Sequence, residues 1–66
     1  MTAPQAEHFR QAAARCTSSA STLAQAALDH LNSGAPNAAL PLLKYASIAA
    51  QNAHVLITFA EEAEKK

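Results

Sequence analysis

Residues 41–63 read PLLKYASIAAQNAHVLITFAEEA, and this stretch decides the fold of the chain. Placed on a helix at about 100° per residue, it is apolar around more than half of its circumference. A narrow row of mostly small residues repeats at spacings of four and three, and we call it the alanine seam: Leu42, Ala46, Ala49, Ala53, Leu56, Ala60 and Ala63. Such a seam is typical of a helix that packs closely against a second helix.

Two further apolar rows flank the alanine seam. The tyrosine row consists of Tyr45, Ile48, Asn52, Val55 and Phe59, and the isoleucine row consists of Leu43, Ala50 and Ile57. The polar strip is narrow and consists of Lys44, Gln51, Thr58 and Glu62. Because one neighbouring helix covers only about a third of a helix surface, the two rows predict contact with another protein chain. The predicted partner-binding residues are Leu43, Tyr45, Ile48, Val55, Ile57 and Phe59.

The N-terminal half predicts a second helix, over about residues 3–32. Thr2 and Gln5 have the spacing of a capping box, and Pro4 is tolerated in a first turn. One apolar side is formed by Phe9, Ala13, Cys16, Ala20, Leu23, Ala27 and Leu31, widened by Ala12, Ala24 and Leu28. The hydroxyl-rich segment 17–22 lowers helix propensity, and Thr22 with Gln25 would fit a second capping box. Since the apolar side continues through this segment in phase, we predict one continuous helix.

A turn is predicted at about residues 33–37. Gly34 suits a left-handed helix end, Pro36 stops the first helix, and Asn37 can cap the next one. Pro41 leaves two alternatives for the second helix, because proline disfavours helical geometry at the residue before it. Either the helix begins near Asn37 with Pro41 in its opening turn, or an irregular turn precedes a helix that starts at Pro41. We predict a second helix over about residues 38–63.

These elements predict an all-α fold, an antiparallel two-helix hairpin that forms a single domain over residues 1–66. A domain of this size buries a small fraction of its surface and is marginally stable alone. We therefore expect the hairpin to associate, coiled-coil fashion, into a larger helical assembly.

The composition argues against several classes of function. Five basic residues balance five acidic ones, so no basic stripe draws nucleic acid and no polybasic cluster draws anionic lipid. No apolar run is long enough to span a membrane, and MTAPQAEHFR does not read as a secretory signal. Cys16 is the only cysteine, which fits a reducing compartment. We expect a soluble, cytoplasmic protein.

The chain offers little for catalysis or metal binding. His8, Cys16, His30 and His54 show none of the close spacings that zinc sites use. Cys16 lies in an apolar stripe, which indicates packing, and the C-terminal glutamates favour solubility. A two-helix hairpin also lacks a sheltered cavity. We expect no enzyme activity, metal site, cofactor or small-molecule substrate.

Several local features resemble the YscE/PscE-like co-chaperones of type III secretion needle subunits. The resemblance lies in Leu23-Ala24-Gln25-Ala26-Ala27-Leu28, in the turn Ser33-Gly34-Ala35-Pro36, and in Ala53-His54-Val55-Leu56-Ile57-Thr58-Phe59. It implies a helical hairpin that pairs with a larger tetratricopeptide-type chaperone. Together, the two would hold the needle subunit unpolymerised in the cytoplasm, without catalysis.

Two alternatives remain open. The chain is also similar to the homodimeric four-helix bundle of the plasmid-copy-number RNA-binding protein, although Arg10, Arg15 and Lys44 are sparse for RNA recognition. The second alternative is a detached tetratricopeptide-like unit, whose internal pattern is loosely matched by Gly34, Ala39, Leu40, Leu43 and Ala46. One such repeat cannot bury its own apolar face.

Overall fold

The computed structural model describes residues 4–65 and consists of two helices. Helix α1 runs over Pro4–Asn32 and helix α2 over Pro36–Lys65. The helices lie side by side in a rod of 50 × 13 × 10 Å. They are antiparallel, since Phe9 and Arg10 of α1 contact Phe59 and Glu64 of α2. The predicted all-α antiparallel hairpin is confirmed.

Small side chains alone form the buried core between the helices. The fully covered apolar residues of the described chain are Ala6, Ala13, Ala27, Ala39, Ala53 and Ala60. In α2, every residue of the alanine seam is buried or half-buried, as the repeat predicts. Alanine at a contact lets two helix axes approach closely, but each alanine removes little apolar area from water.

The turn has the hydrogen bonds of a Schellman motif. Gly34 has a φ of 79°, in the left-handed region. The Ala35 N–H donates to the His30 carbonyl at 2.8 Å, and the Gly34 N–H donates to the Leu31 carbonyl at 3.2 Å. The Ser33 hydroxyl also donates to the carbonyls of Asp29 and His30. The carbonyls of Asp29, His30 and Leu31 near the end of α1 therefore have partners, and the chain reverses direction within residues 33–35.

The predicted start of α2, at about residue 38, lies within two residues of the observed one. The helix begins at Pro36, so Asn37 lies inside its first turn and does not cap it. Proline fits the first position of a helix because its missing N–H has no intrahelical acceptor there. Of the two alternatives for Pro41, the structure is nearer to the first, since Pro41 lies within α2. Helix α2 also extends to Lys65, beyond the predicted end at residue 63.

Helix α1 passes through the hydroxyl-rich segment 17–22 without a break, as predicted. The Thr17 hydroxyl donates to the Ala13 carbonyl, and the Thr22 hydroxyl donates to the Ser18 carbonyl. These bonds to the preceding turn satisfy the hydroxyls within a helical backbone. Gln25 donates to the Asp29 carboxylate, so it does not form a capping box with Thr22. The box predicted for Thr2 and Gln5, and the predicted start at residue 3, include residues outside the described range.

Candidate protein-binding surface

The six predicted partner-binding residues all lie on the surface of α2. Each of them is between 43% and 58% exposed. They are Leu43, Tyr45, Ile48, Val55, Ile57 and Phe59. Helix α1 covers the alanine seam between the two rows and leaves the rows themselves accessible to water. The buried residues of α2 are alanines, and Leu42 and Leu56 of the alanine seam are half-buried. The other large apolar side chains of α2 lie at the edges of the hairpin.

The tyrosine row lies along one edge of the hairpin. At the end opposite the turn, which we call the open end, Phe9 of α1 lies beside Phe59 of this row. The ring centroids of Phe9 and Phe59 are 5.7 Å apart, and the two rings are inclined by 53°. A shallow groove beside them is lined by Gln5, Phe9, Phe59, Glu62 and Ala63. Phe59 therefore has an intramolecular neighbour on one side, while half of it remains exposed. Tyr45, at 58% exposure, is among the most accessible apolar side chains of the described residues.

The isoleucine row lies along the opposite edge. Ile57 lines a shallow groove with four residues of α1, namely Arg10, Ala13, Ala14 and Thr17. Arg10 forms a salt bridge with Glu64 at the open end of this edge. Both side chains are about 40% exposed, so the pair contributes little to stability. Of the residues that line this groove, Ala13, Ala14 and Ile57 are apolar and Arg10 carries a charge.

The exposure of three leucines near the turn was not predicted from the sequence. Leu28 and Leu31 were predicted to lie in the buried stripe of α1, but they are 47% and 46% exposed. The buried alanines of α1 repeat every seven residues, and Leu31 lies four residues past Ala27, beside that repeat. Leu40, which precedes Pro41, is 63% exposed. The seven-residue spacing of the alanines was the signal that could have placed Leu28 and Leu31 at the edge.

The exposed leucines extend the isoleucine edge toward the turn. Leu31 follows Thr17 by two heptads, and Leu43 precedes Ile57 by two heptads, while Thr17 and Ile57 line one groove. Residues two heptads apart share a helix face. One edge of the hairpin is thus apolar from the groove at Ile57 to the turn.

The titratable side chains do not assemble into a site. His8, His30 and His54 are exposed, and Cys16 is half-buried in the α1 stripe. Among residues 4–65, no three side chains of His, Cys, Asp or Glu come close enough to hold one metal ion. A further groove on α1 is lined by Ser18, Ser19, Thr22 and Leu23, and it is shallow and open. Over the same residues, neither helix is long and apolar enough to cross a membrane.

The hairpin exposes more surface than a compact protein of its mass. Its accessible surface is 4780 Å² for 6.9 kDa. A compact monomer of this mass exposes about 4,000 Å², so the excess is roughly 800 Å². Each partner in a typical stable protein–protein interface buries about 800 Å². The excess is therefore as large as one ordinary binding surface.

Compared with known proteins, the chain matches no family model, no curated protein and no solved structure.

Proposed function

We propose that this hairpin is a non-catalytic protein-binding module that covers apolar surface on a larger helical protein. One observation carries the proposal: the buried residues of the described chain are all alanine, while the large side chains of the tyrosine and isoleucine rows lie half-exposed along both edges. An ordinary monomer places such side chains inside, because burying each contributes about 1.5–3 kcal/mol. Here these side chains are about half covered, so the remaining part of that free energy is available only on association.

The arrangement of the rows favours a helical partner. The tyrosine row repeats at spacings of three and four, and such a row fits between the side chains of another helix. Tyr45 and Phe59 supply large aromatic anchors of the kind that dominate binding energy at interfaces. The rod is 50 Å long and apolar along two edges, which suits the concave surface of a helical-repeat protein.

The finer form of the proposal is a co-chaperone of type III secretion. Its support is the likeness of residues 23–28, 33–36 and 53–59 to the YscE/PscE-like proteins, together with the hairpin fold that this likeness implies. The partner would be a tetratricopeptide-type chaperone, and the pair would act in the cytoplasm, where the Cys16 thiol stays reduced. No reaction is involved.

The test is co-expression with the tetratricopeptide-type chaperone whose gene lies nearest to that of the hairpin. We expect a stable complex of defined stoichiometry in native mass measurements. Val55→Glu should abolish the complex, whereas Gln51→Glu, on the polar strip of the same helix, should leave it intact. Gene neighbours that include no secretion component would overturn the finer proposal. Equal binding by both variants would overturn the use of the tyrosine row.

A further inference from the structure

The tyrosine row has a nearly symmetric spacing about its central residue. Tyr45 and Phe59 lie seven residues on either side of Asn52, while Ile48 lies four before it and Val55 three after it. All four apolar members are about half-exposed, and Asn52 is exposed among them. A surface with this symmetry is complementary to a second copy of itself when the two helices run antiparallel.

We propose that, in the free protein, a second copy of this chain covers the tyrosine row. The two α2 helices pack antiparallel about a two-fold axis at Asn52. Tyr45 of each copy then faces Phe59 of the other, and Ile48 faces Val55. The contact runs for about 21 Å along each helix, from Tyr45 to Phe59. This inference concerns the free hairpin and stands whether or not a larger partner exists.

Asn52 fits the position on the two-fold axis. An asparagine amide carries both a donor and an acceptor, so two symmetric amides can hydrogen-bond to each other. A single asparagine within an apolar helix seam fixes the alignment and the number of helices, because a shifted alignment leaves the amide unpaired. The only polar member of the row is thus explained by the same symmetry that pairs its apolar members.

The charges favour the antiparallel arrangement. Between residues 16 and 60 the only Asp, Glu, Lys or Arg residues are Asp29 and Lys44, and the acidic residues of α2 all lie after Ala60. Lys44 lies four residues before Ile48, and Glu62 lies seven residues after Val55, so both border the tyrosine row. An antiparallel pair places Lys44 of one copy beside Glu62 of the other, whereas a parallel pair would place like charges together.

The surface area agrees with a second copy as the occupant. The hairpin exposes 4780 Å², roughly 800 Å² more than a compact monomer of its mass, and a stable interface buries about that area per partner. A second copy is also present at the concentration of the chain itself and carries no net charge at neutral pH. Two copies therefore meet without overall repulsion.

The first test compares two matched variants of the full chain. Val55 is 46% exposed in the tyrosine row, and Ser47 is exposed on the same helix away from both apolar rows. Val55→Glu should raise the dimer Kd about 30-fold or more, because each dimer loses the contact twice. Ser47→Glu should leave the dimer Kd unchanged. Sedimentation over a dilution series measures both, and a monomeric parent chain or equal effects of the two variants would overturn the proposal.

The second test uses exposed residues and does not depend on the folding of Val55→Glu. Lys44→Glu and Glu62→Lys should each weaken the dimer, because each places like charges beside one another. The double variant Lys44→Glu/Glu62→Lys should restore the parent Kd. These two residues are 18 apart on one helix and do not meet within a copy, so the restoration reports contact between copies. Additive weakening in the double variant would overturn the antiparallel arrangement.

A cysteine placed on the axis gives the third test. In a Cys16→Ala background, Asn52→Cys should form a disulfide-linked dimer under mild oxidation, whereas Ser47→Cys, away from the row, should not. Equal cross-linking of the two variants would overturn the proposed axis. Binding of a larger chaperone is measured separately, so a monomeric parent chain that binds the chaperone normally overturns this inference and leaves the proposed function standing.

Discussion

The rings of Phe9 and Phe59 join the two helices at the open end of the hairpin, with their centroids 5.7 Å apart. The turn joins the helices at the other end, and alanines fill the space between. Tilted aromatic pairs at this distance stabilise a fold by about 0.5–1.5 kcal/mol beyond the area they bury. In a core without large side chains, this contact is a substantial part of the packing between the helices.

Tyr45 and Phe59 should therefore differ when they are replaced by alanine. Phe59→Ala should lower the free energy of unfolding by about 1 kcal/mol more than Tyr45→Ala, because Phe59 alone has an aromatic partner in the hairpin. Urea unfolding, monitored by circular dichroism, measures this difference in the free energy of unfolding. A double-mutant cycle with Phe9→Ala should show a coupling energy with Phe59→Ala, and its absence would contradict the pairing.

The two variants should behave alike in binding. Each removes an exposed aromatic of the tyrosine row, and an interface anchor of this kind contributes on the order of 2 kcal/mol or more. Calorimetry with the larger chaperone should show a clear loss of affinity for both, while Tyr45→Ala keeps its helix content. Normal binding by both variants would move the contact surface to the isoleucine row.

Overpacking of the alanine seam should destabilise the hairpin. Ala53 is 5% exposed, and leucine there adds methylenes where two helices already touch. We expect Ala53→Leu to cost roughly 1–3 kcal/mol, and Ala49→Leu to be destabilising in the same way. The control is Ala50→Leu on the exposed isoleucine row, which should be tolerated. Thermal unfolding decides, and melting of both seam variants at or above the parent temperature would place the helix contact elsewhere.

Gly34→Ala should destabilise the turn through the backbone alone. Gly34 has a φ of 79°, and a Cβ added there meets no atom within 4 Å. The expected cost is therefore that of a left-handed alanine, about 1–2 kcal/mol. Gly34→Asn should cost less, because asparagine tolerates this conformation better. Chemical unfolding measures the free energy of unfolding of both variants. A larger loss for Gly34→Asn than for Gly34→Ala would contradict the Schellman geometry.

Replacing Pro41 should stabilise α2. A proline within a helix removes a hydrogen bond to the carbonyl four residues earlier, here that of Asn37, and costs up to about 3 kcal/mol. Pro41→Ala restores the N–H and should raise the melting temperature. Pro36→Ala is the control, since proline is favourable at the first helical position and its loss should bring no gain. An unchanged melting temperature for Pro41→Ala would indicate that the helix accommodates the ring without cost.

The alanine seam could be predicted from the sequence because its repeat is regular over three heptads. The start of α2 could not be placed, because Pro36 suits both a stop signal and a first helical position, and local propensity does not distinguish them. The exposure of Leu28 and Leu31 depends on which stripe of α1 faces α2, which only the packing decides. The two exposed rows of α2 could be predicted from the periodicity of the sequence. The protein that covers them could not, because it depends on the surface of a partner molecule.

The alanine core has a consequence for how the helices are aligned along their length. Buried alanines recur every seven residues on both helices, at Ala6 and Ala13 and again at Ala53 and Ala60. A slip of one helix by a heptad, about 10.5 Å, would again set alanine against alanine, so the buried alanines alone do not oppose sliding, whereas the Phe9–Phe59 contact would be lost. The three-residue turn cannot absorb that displacement without unwinding a helix end. The turn and the Phe9–Phe59 contact, rather than the buried alanines, therefore select one sliding position, and a lengthened loop would remove one of these two constraints.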